Sequence, residues 1–139
     1  MTHEQIADLE EIKKLKARYF RLMDTKQWDE WAAVFTEDAR LQWGPGDSDV
    51  VEGRDDIVRT VSRALNDAVT CHHGHMPEIE IRNEREAVGV WAMFDHVDHP
   101  RFVLNGFGHY HEEYVKDDSG TWRIRSTRLT RLREDRRAK

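Results

Sequence analysis

The chain is predicted to be an α+β protein: a cone in which N-terminal helices pack on a curved, mixed, mostly antiparallel sheet. Three observations lead there. Before residue 70 the apolar side chains recur at helical spacing, and after it they alternate. Turn-rich tetrapeptides divide the second half into strands. Finally, 139 residues suit one core, and five Trp, five Phe and three Tyr supply it with large pieces, although charged residues (35%) nearly equal hydrophobic ones (38%).

Thr2 followed by Gln5 has the pattern of a capping box. Ile6, Leu9, Ile12, Lys13, Lys16, Tyr19, Phe20 and Met23 then trace helical spacing, so a helix is expected over 3–23. A short second helix is expected over 28–35, with Trp28, Trp31, Ala32 and Phe35 on one side. Leu41-Gln42-Trp43 reads as a short strand and Gly44-Pro45-Gly46-Asp47 as a turn. A third helix is expected over 55–68, with Ile57, Val58, Val61 and Leu65 inward. Strands are expected over 71–82, 86–97, 102–115 and 121–133, joined by hairpin loops at 83–86 and 117–120 and by a longer loop at 96–100. All of 1–139 is read as one domain, with 130–139 as a basic, solvated tail. A pocket is expected at the mouth of the cone, between sheet and first helix.

Bulk properties exclude several function classes. A formal net charge of −5 argues against nucleic-acid or anionic-membrane partners. The single cysteine, Cys71, forbids an internal disulfide and offers no CxxC pair. No apolar run approaches the roughly 18 residues of a membrane span, and Met-Thr-His-Glu-Gln lacks the parts of a signal peptide. A soluble, cytoplasmic protein is expected. There is no Gly-x-Ser-x-Gly elbow and no phosphate- or dinucleotide-binding glycine pattern. His73 and His75 could share a face, but no acidic third ligand stands nearby, so neither metal nor cofactor is expected.

The most informative stretch is His72-His73-Gly74-His75, just before the alternating Ile79-Glu80-Ile81. Imidazoles beside a strand can do acid–base work in a cavity. A regular strand would place His73 and His75 on the face of Ile79 and Ile81 and turn His72 away. A bulge near Pro77, which cannot donate to the ladder, would reverse that parity. His72 is preferred as the pocket residue and His73 is kept as the alternative. Asp24 ends the first helix, where a carboxylate is either the start of a solvated turn or the partner of an imidazole. Tyr19, on that helix's apolar stripe, is either plain core or a phenol aimed into the cavity. Asp95 follows Trp91 and Met93 on one face of its strand, at the rim or in the pocket. Arg131 stands among tail arginines that are mostly solvated. His109 and His111 alternate on the next strand, with one toward the pocket or both toward solvent.

The run from Ile12 to Asp24 followed by Trp28-Asp29, then His72-His73-Gly74-His75-Met76-Pro77-Glu78-Ile79, Ala87-Val88-Gly89-Val90-Trp91, Tyr114 and Gly120-Thr121-Trp122-Arg123-Ile124, resembles a SnoaL-like domain. These domains belong to the cone-shaped superfamily named for nuclear transport factor 2. In pattern the chain is most similar to bile-acid 7α-dehydratases, and more loosely to scytalone dehydratases and hexachlorocyclohexane dehydrochlorinases. The resemblance implies a catalytic set of Tyr19, Asp24, His72, Asp95 and Arg131. It places a strand asparagine on Asn105 and an assisting histidine on His109.

The reading that follows is a cofactor-independent lyase of dehydratase type acting on a small, apolar, cyclic molecule. His72 takes a proton beside an activating carbonyl, and Asp24 orients it. Tyr19 donates to the developing enolate oxygen, and Asp95 and Arg131 assist departure of hydroxide. His73, Trp43, Trp91, Met93, Asn105, Phe107 and His109 are expected to line the substrate site. An isomerase or cyclase on the same site, or a non-catalytic assembly subunit like those of ring-hydroxylating dioxygenases, are the alternatives. Apolar residues on both faces of the strand from 86 onward predict self-association, and the resemblance to the dehydratases implies a trimer before a dimer.

Overall fold

A computed structural model describes residues 1–139. Helix α1 (His3–Asp24) opens on the capping box: Thr2 accepts from the Gln5 amide, and Gln5 accepts from the Thr2 amide. One stripe of α1, including Ile12, Leu15, Tyr19, Leu22 and Met23, is buried in the main core. Helix α2 (Trp28–Ala32) stops short of residue 35, because Phe35 already begins strand β1 (Phe35–Gln42). Phe35 pairs in parallel with Ile124, and the register shifts before Arg40. A parallel partner so far along the chain leaves no trace in local periodicity, which is why only 41–43 reads as strand. The three-residue β2 (Val50–Glu52), antiparallel to the end of β1, is likewise unforeseen. Helix α3 (Arg54–Leu65) ends three residues before the expected 68.

Strands β3 (Val69–Ile81), β4 (Glu86–His99), β5 (Phe102–Lys116) and β6 (Trp122–Ala138) complete a six-stranded sheet of order β2-β1-β6-β5-β4-β3. It is mixed, because β1 runs parallel to β6, and the other pairs are antiparallel. The helices cover one face: α1 packs on β3 and α3 on β1. This is the predicted α+β architecture. No helix is long and apolar enough to cross a membrane.

Two expectations about the C-terminal half are corrected. The loop at 96–100 does not exist: β4 runs to His99, which pairs with Phe102 across a tight turn. Residues 130–138 are not a loose tail but the end of β6, exposed from Leu132 onward yet paired with β5, with Ala138 opposite Phe102. Their charges carry no apolar alternation, yet the strand needs only β5's free backbone edge. Lys139 bridges to Asp98 at 2.6 Å, and the Arg136 guanidinium lies 3.9 Å above the Phe102 ring.

Strand β3 carries the decisive irregularity. Its pairing with β4 shifts between His75 and Glu78, and Met76 has φ 37°. The bulge reverses side-chain parity. Thr70 and His72 therefore face the helices, as Ile79 and Ile81 do beyond the bulge, while His73 is exposed.

Candidate active site

Asp24, the last residue of α1, is held by three donors from β3. Thr70 Oγ1 donates to Oδ1 at 2.8 Å, and the His72 amide donates to Oδ2 at 2.9 Å. The His72 ring meets Oδ1 through Nδ1 at 2.7 Å. A carboxylate can only accept, so the proton belongs on Nδ1, and Nε2 of the neutral ring is left as the basic nitrogen. His72 lines a cavity and Asp24 does not, so the carboxylate sits behind the imidazole as an orienting group.

The sheet register aligns the rest. His72 stands opposite Asp95, and Asp95 stands opposite Gly106. Arg131, from β6, reaches over Gly106 to Asp95 in a fork, Nη1 to Oδ1 at 3.1 Å and Nη2 to Oδ2 at 3.0 Å. A Cβ on Gly106 would collide with both Arg131 Nη1 and Asp95 Oδ1, so this glycine makes room for the pair. Burial works against the Arg131 charge, but its hydrogen bond to Asp95 and the charges of Asp95 and Glu134 outweigh it and hold the pKa above the ordinary guanidinium value. Tyr19 is packed edge-on against Phe20 and Phe35. Burial first, then the carboxylates of Glu112, Asp95 and Asp24, push its phenol well up, so it is a neutral donor.

These groups meet at one end of a cavity of about 410 Å³. Its apolar wall comes from Met23, Leu41, Val61, Leu65, Val97, Phe102, Leu104 and Leu129, with Trp43 toward the mouth. Apolar walls with a few convergent polar groups, at this volume, are the ordinary form of a small-molecule site. No three His, Cys, Asp or Glu side chains converge in metal-holding geometry.

Of the residues singled out from sequence, Tyr19, Trp43, His72, Asp95 and Arg131 line this cavity and Asp24 supports it. Six others are placed elsewhere. Trp91 and Met93 face inward but are buried against Tyr110 without reaching the cavity wall themselves, and Trp91 Nε1 donates to the Tyr114 hydroxyl. His73, Asn105, Phe107 and His109 lie on the opposite face of the sheet. His73 turns to Cys71 and Phe94, Asn105 accepts from His96 Nδ1, Phe107 packs on Phe94, and His109 neighbours His111. The β4–β5 register explains the last three. With Asp95 opposite Gly106 and Met93 opposite Gly108, it is the glycines that face inward.

The sequence reading misses three features. Tyr110 lines the cavity, and its parity could have been taken from Tyr114 on the same strand. Gly106 is silent in sequence because its role is to be absent. Lys16 and Glu112 form a fully buried ion pair at 2.7 Å, and only the position of Lys16 on the apolar stripe of α1 hints at it.

Comparison with known proteins agrees with this architecture. A SnoaL-like domain model matches residues 4–128. Among solved structures, the chain is similar to a candidate scytalone dehydratase from Novosphingobium aromaticivorans, at 23% identity and TM-score 0.86, covering 97% of this chain and 91% of that one. It is similar to a protein of unknown function from Mycobacterium tuberculosis, at 26% identity and TM-score 0.80, covering 94% and 75%. A hexachlorocyclohexane dehydrochlorinase from Novosphingobium barchaimii shares 14% identity at TM-score 0.82, covering 96% and 92%. At these identities the solved structures speak for the fold, whereas the domain match spans most of the sequence: the chain belongs to the SnoaL-like domain family.

Proposed function

We propose that the protein is a cofactor-independent lyase of dehydratase type, acting on a small, mostly apolar, cyclic hydroxy ketone. The observation that carries the reading is the 2.7 Å contact between His72 Nδ1 and Asp24, which leaves Nε2 as the base at the cavity wall. His72 removes a proton from carbon beside the carbonyl. Asp24 holds the tautomer and balances the imidazolium charge that results. Tyr19 donates to the enolate oxygen as charge develops there. The Asp95–Arg131 pair forms the polar end that holds the departing hydroxyl, and the His72 imidazolium returns its proton to it, so that the C–O bond breaks, water leaves and neutral His72 is restored. The apolar wall keeps bulk solvent from the enolate. An assembly subunit would be expected to fill its cavity with its own aromatics, and about 410 Å³ of open volume favours catalysis over that role.

The test is turnover of a panel of cyclic β-hydroxy ketones, followed by product analysis. The wild-type protein should yield the conjugated enone, and Asp24→Asn should lose much of the rate by releasing the ring. A rearranged product of unchanged composition would replace the lyase by an isomerase on the same residues. No turnover of any member would reject the reading. We also infer that sister chains cover the outer face of the sheet, where Phe94 and Phe107 pack with ring centroids 5.3 Å apart and Phe107 is 38% exposed, in a trimer rather than a dimer.

A further inference from the structure

Beneath the cavity lies a charged group that the proposed reaction does not use. Lys16 is completely enclosed. Its ammonium donates to Glu112 Oε2 at 2.7 Å, and the same carboxylate accepts from Thr127 Oγ1 at 2.6 Å and from the Tyr114 hydroxyl at 2.7 Å. A buried pair of this kind is a poor device for stability alone, since well-packed apolar residues often serve as well. Its placement suggests another use. Lys16 Nζ lies 3.7 Å from the centroid of the Tyr19 ring and 3.8 Å from that of Tyr110. The two rings stand nearly perpendicular, 6.1 Å apart. One ammonium thus grips both.

Both phenols line the cavity. The Tyr114 hydroxyl is taken up between Trp91 and Glu112, but no protein group engages that of Tyr19 or Tyr110. Burial first, then the Tyr19 phenol and the carboxylates of Asp95 and Glu112, push the Tyr110 phenol well up, against the opposing charge of Arg131. Both phenols are therefore protonated donors on the wall of the same cavity, with their rings 6.1 Å apart. A cation on the ring face draws electron density from the hydroxyl and strengthens it as a donor.

We propose that Tyr110 is a second donor, beside Tyr19, to one oxygen of the bound molecule, and that Lys16 is the positioning residue that holds the two phenols as a pair. The ligand class is a carbonyl, enolate or phenolic oxygen carried on an apolar ring. The inference rests on the lyase reading for the identity of that oxygen in the reaction, but it concerns binding and can be tested without turnover.

The probes are 2-naphthol and 2-methylnaphthalene, titrated by fluorescence. They share a shape and differ in the oxygen. The wild-type protein should prefer 2-naphthol. Tyr110→Phe should cut that preference by about tenfold, the cost of one hydrogen bond to a polar or charged oxygen. Affinity for 2-methylnaphthalene should hold. Lys16→Met alone would leave Glu112 unpaired and endanger folding, so the informative variant is Lys16→Met/Glu112→Gln, which removes both charges. Its preference should fall roughly three- to thirtyfold at a thermal midpoint showing it folded, a selectivity change that a merely structural pair would not produce. No naphthol preference in the wild-type protein, or an unchanged preference in Tyr110→Phe, overturns the two-phenol site. An unchanged preference in the folded double variant overturns the role of Lys16. If no hydroxy ketone is turned over and the preferences still shift, the lyase reading fails and the oxygen site stands. Turnover without such shifts has the reverse meaning.

Discussion

His72 and His73 are neighbours on one strand and experience opposite surroundings. His72, on the inner face, is clamped by the last carboxylate of α1 and borders an apolar cavity. His73, on the outer face, is exposed beside Cys71 and His75. The contrast continues across the sheet. Inward, the row is His72, Asp95, Gly106 and the guanidinium of Arg131, while outward Phe94 and Phe107 meet. Chemistry here depends less on residue type than on the face that register assigns. Two equal imidazoles differ by one peptide unit, and only one of them acquires a carboxylate partner.

The largest break in that comparison is His72→Ala, which should lower turnover by about 10²–10⁴-fold, the range of a general base. His73→Ala should stay within about twofold of wild type. Equal effects of the two, measured as kcat/KM, would dissolve the distinction between the faces. Next is Gly106→Ala. Its Cβ must displace the Asp95–Arg131 pair, so turnover should fall by about tenfold and stability by about 1–3 kcal/mol, as for overpacking. Denaturant melts and kinetics together check this, and an unperturbed protein would mean that the pair is dispensable. On the outer face, Phe107→Glu should reduce the mass seen by light scattering toward that of one chain, with the inner site still active. An unchanged mass would remove Phe107 from the interface.

The smallest effect belongs to a turn remote from both faces. Asp117 accepts from Ser119 Oγ, from the amides of Thr121 and Ser119, and from Arg123, and these bonds, with Ser119 first, hold its carboxyl below the ordinary value. A depressed folded-state pKa means stabilisation that is complete above the unfolded value of about 3.9 and lost as pH falls through the folded one. Asp117→Asn should therefore lower the thermal midpoint slightly at pH 6, and the gap from wild type should close on acidification. A gap independent of pH would assign the effect to geometry instead of charge.

Helices α1 and α3 were legible because an amphipathic stripe is a local property, so Tyr19 and Asp24 could be placed on one element from periodicity alone. The start of β1 was not, since its partner Ile124 lies far along the chain, and β2 was not, since three residues are too few to show alternation. On β5 the inward positions include Gly106 and Gly108, which carry no side chain to announce them, and the outward ones carry Asn105, Phe107 and His109. Alternation alone therefore favours the wrong face. Trp91 and Met93 were correctly turned inward but lie beneath the cavity wall, a matter of depth that a two-residue period does not contain.

By itself, the amino-acid order determined the class of fold, the helix that ends in an acid, and the short list of groups able to move a proton. Tertiary structure decided which imidazole reaches that acid. The choice turns on one extra residue at Met76 that reverses the parity of β3. It also brought Lys16 and Glu112 together beneath two phenols from different elements. The reason is the same in both cases: facing and contact are set by pairing between distant segments, and local sequence records only what each segment would bury.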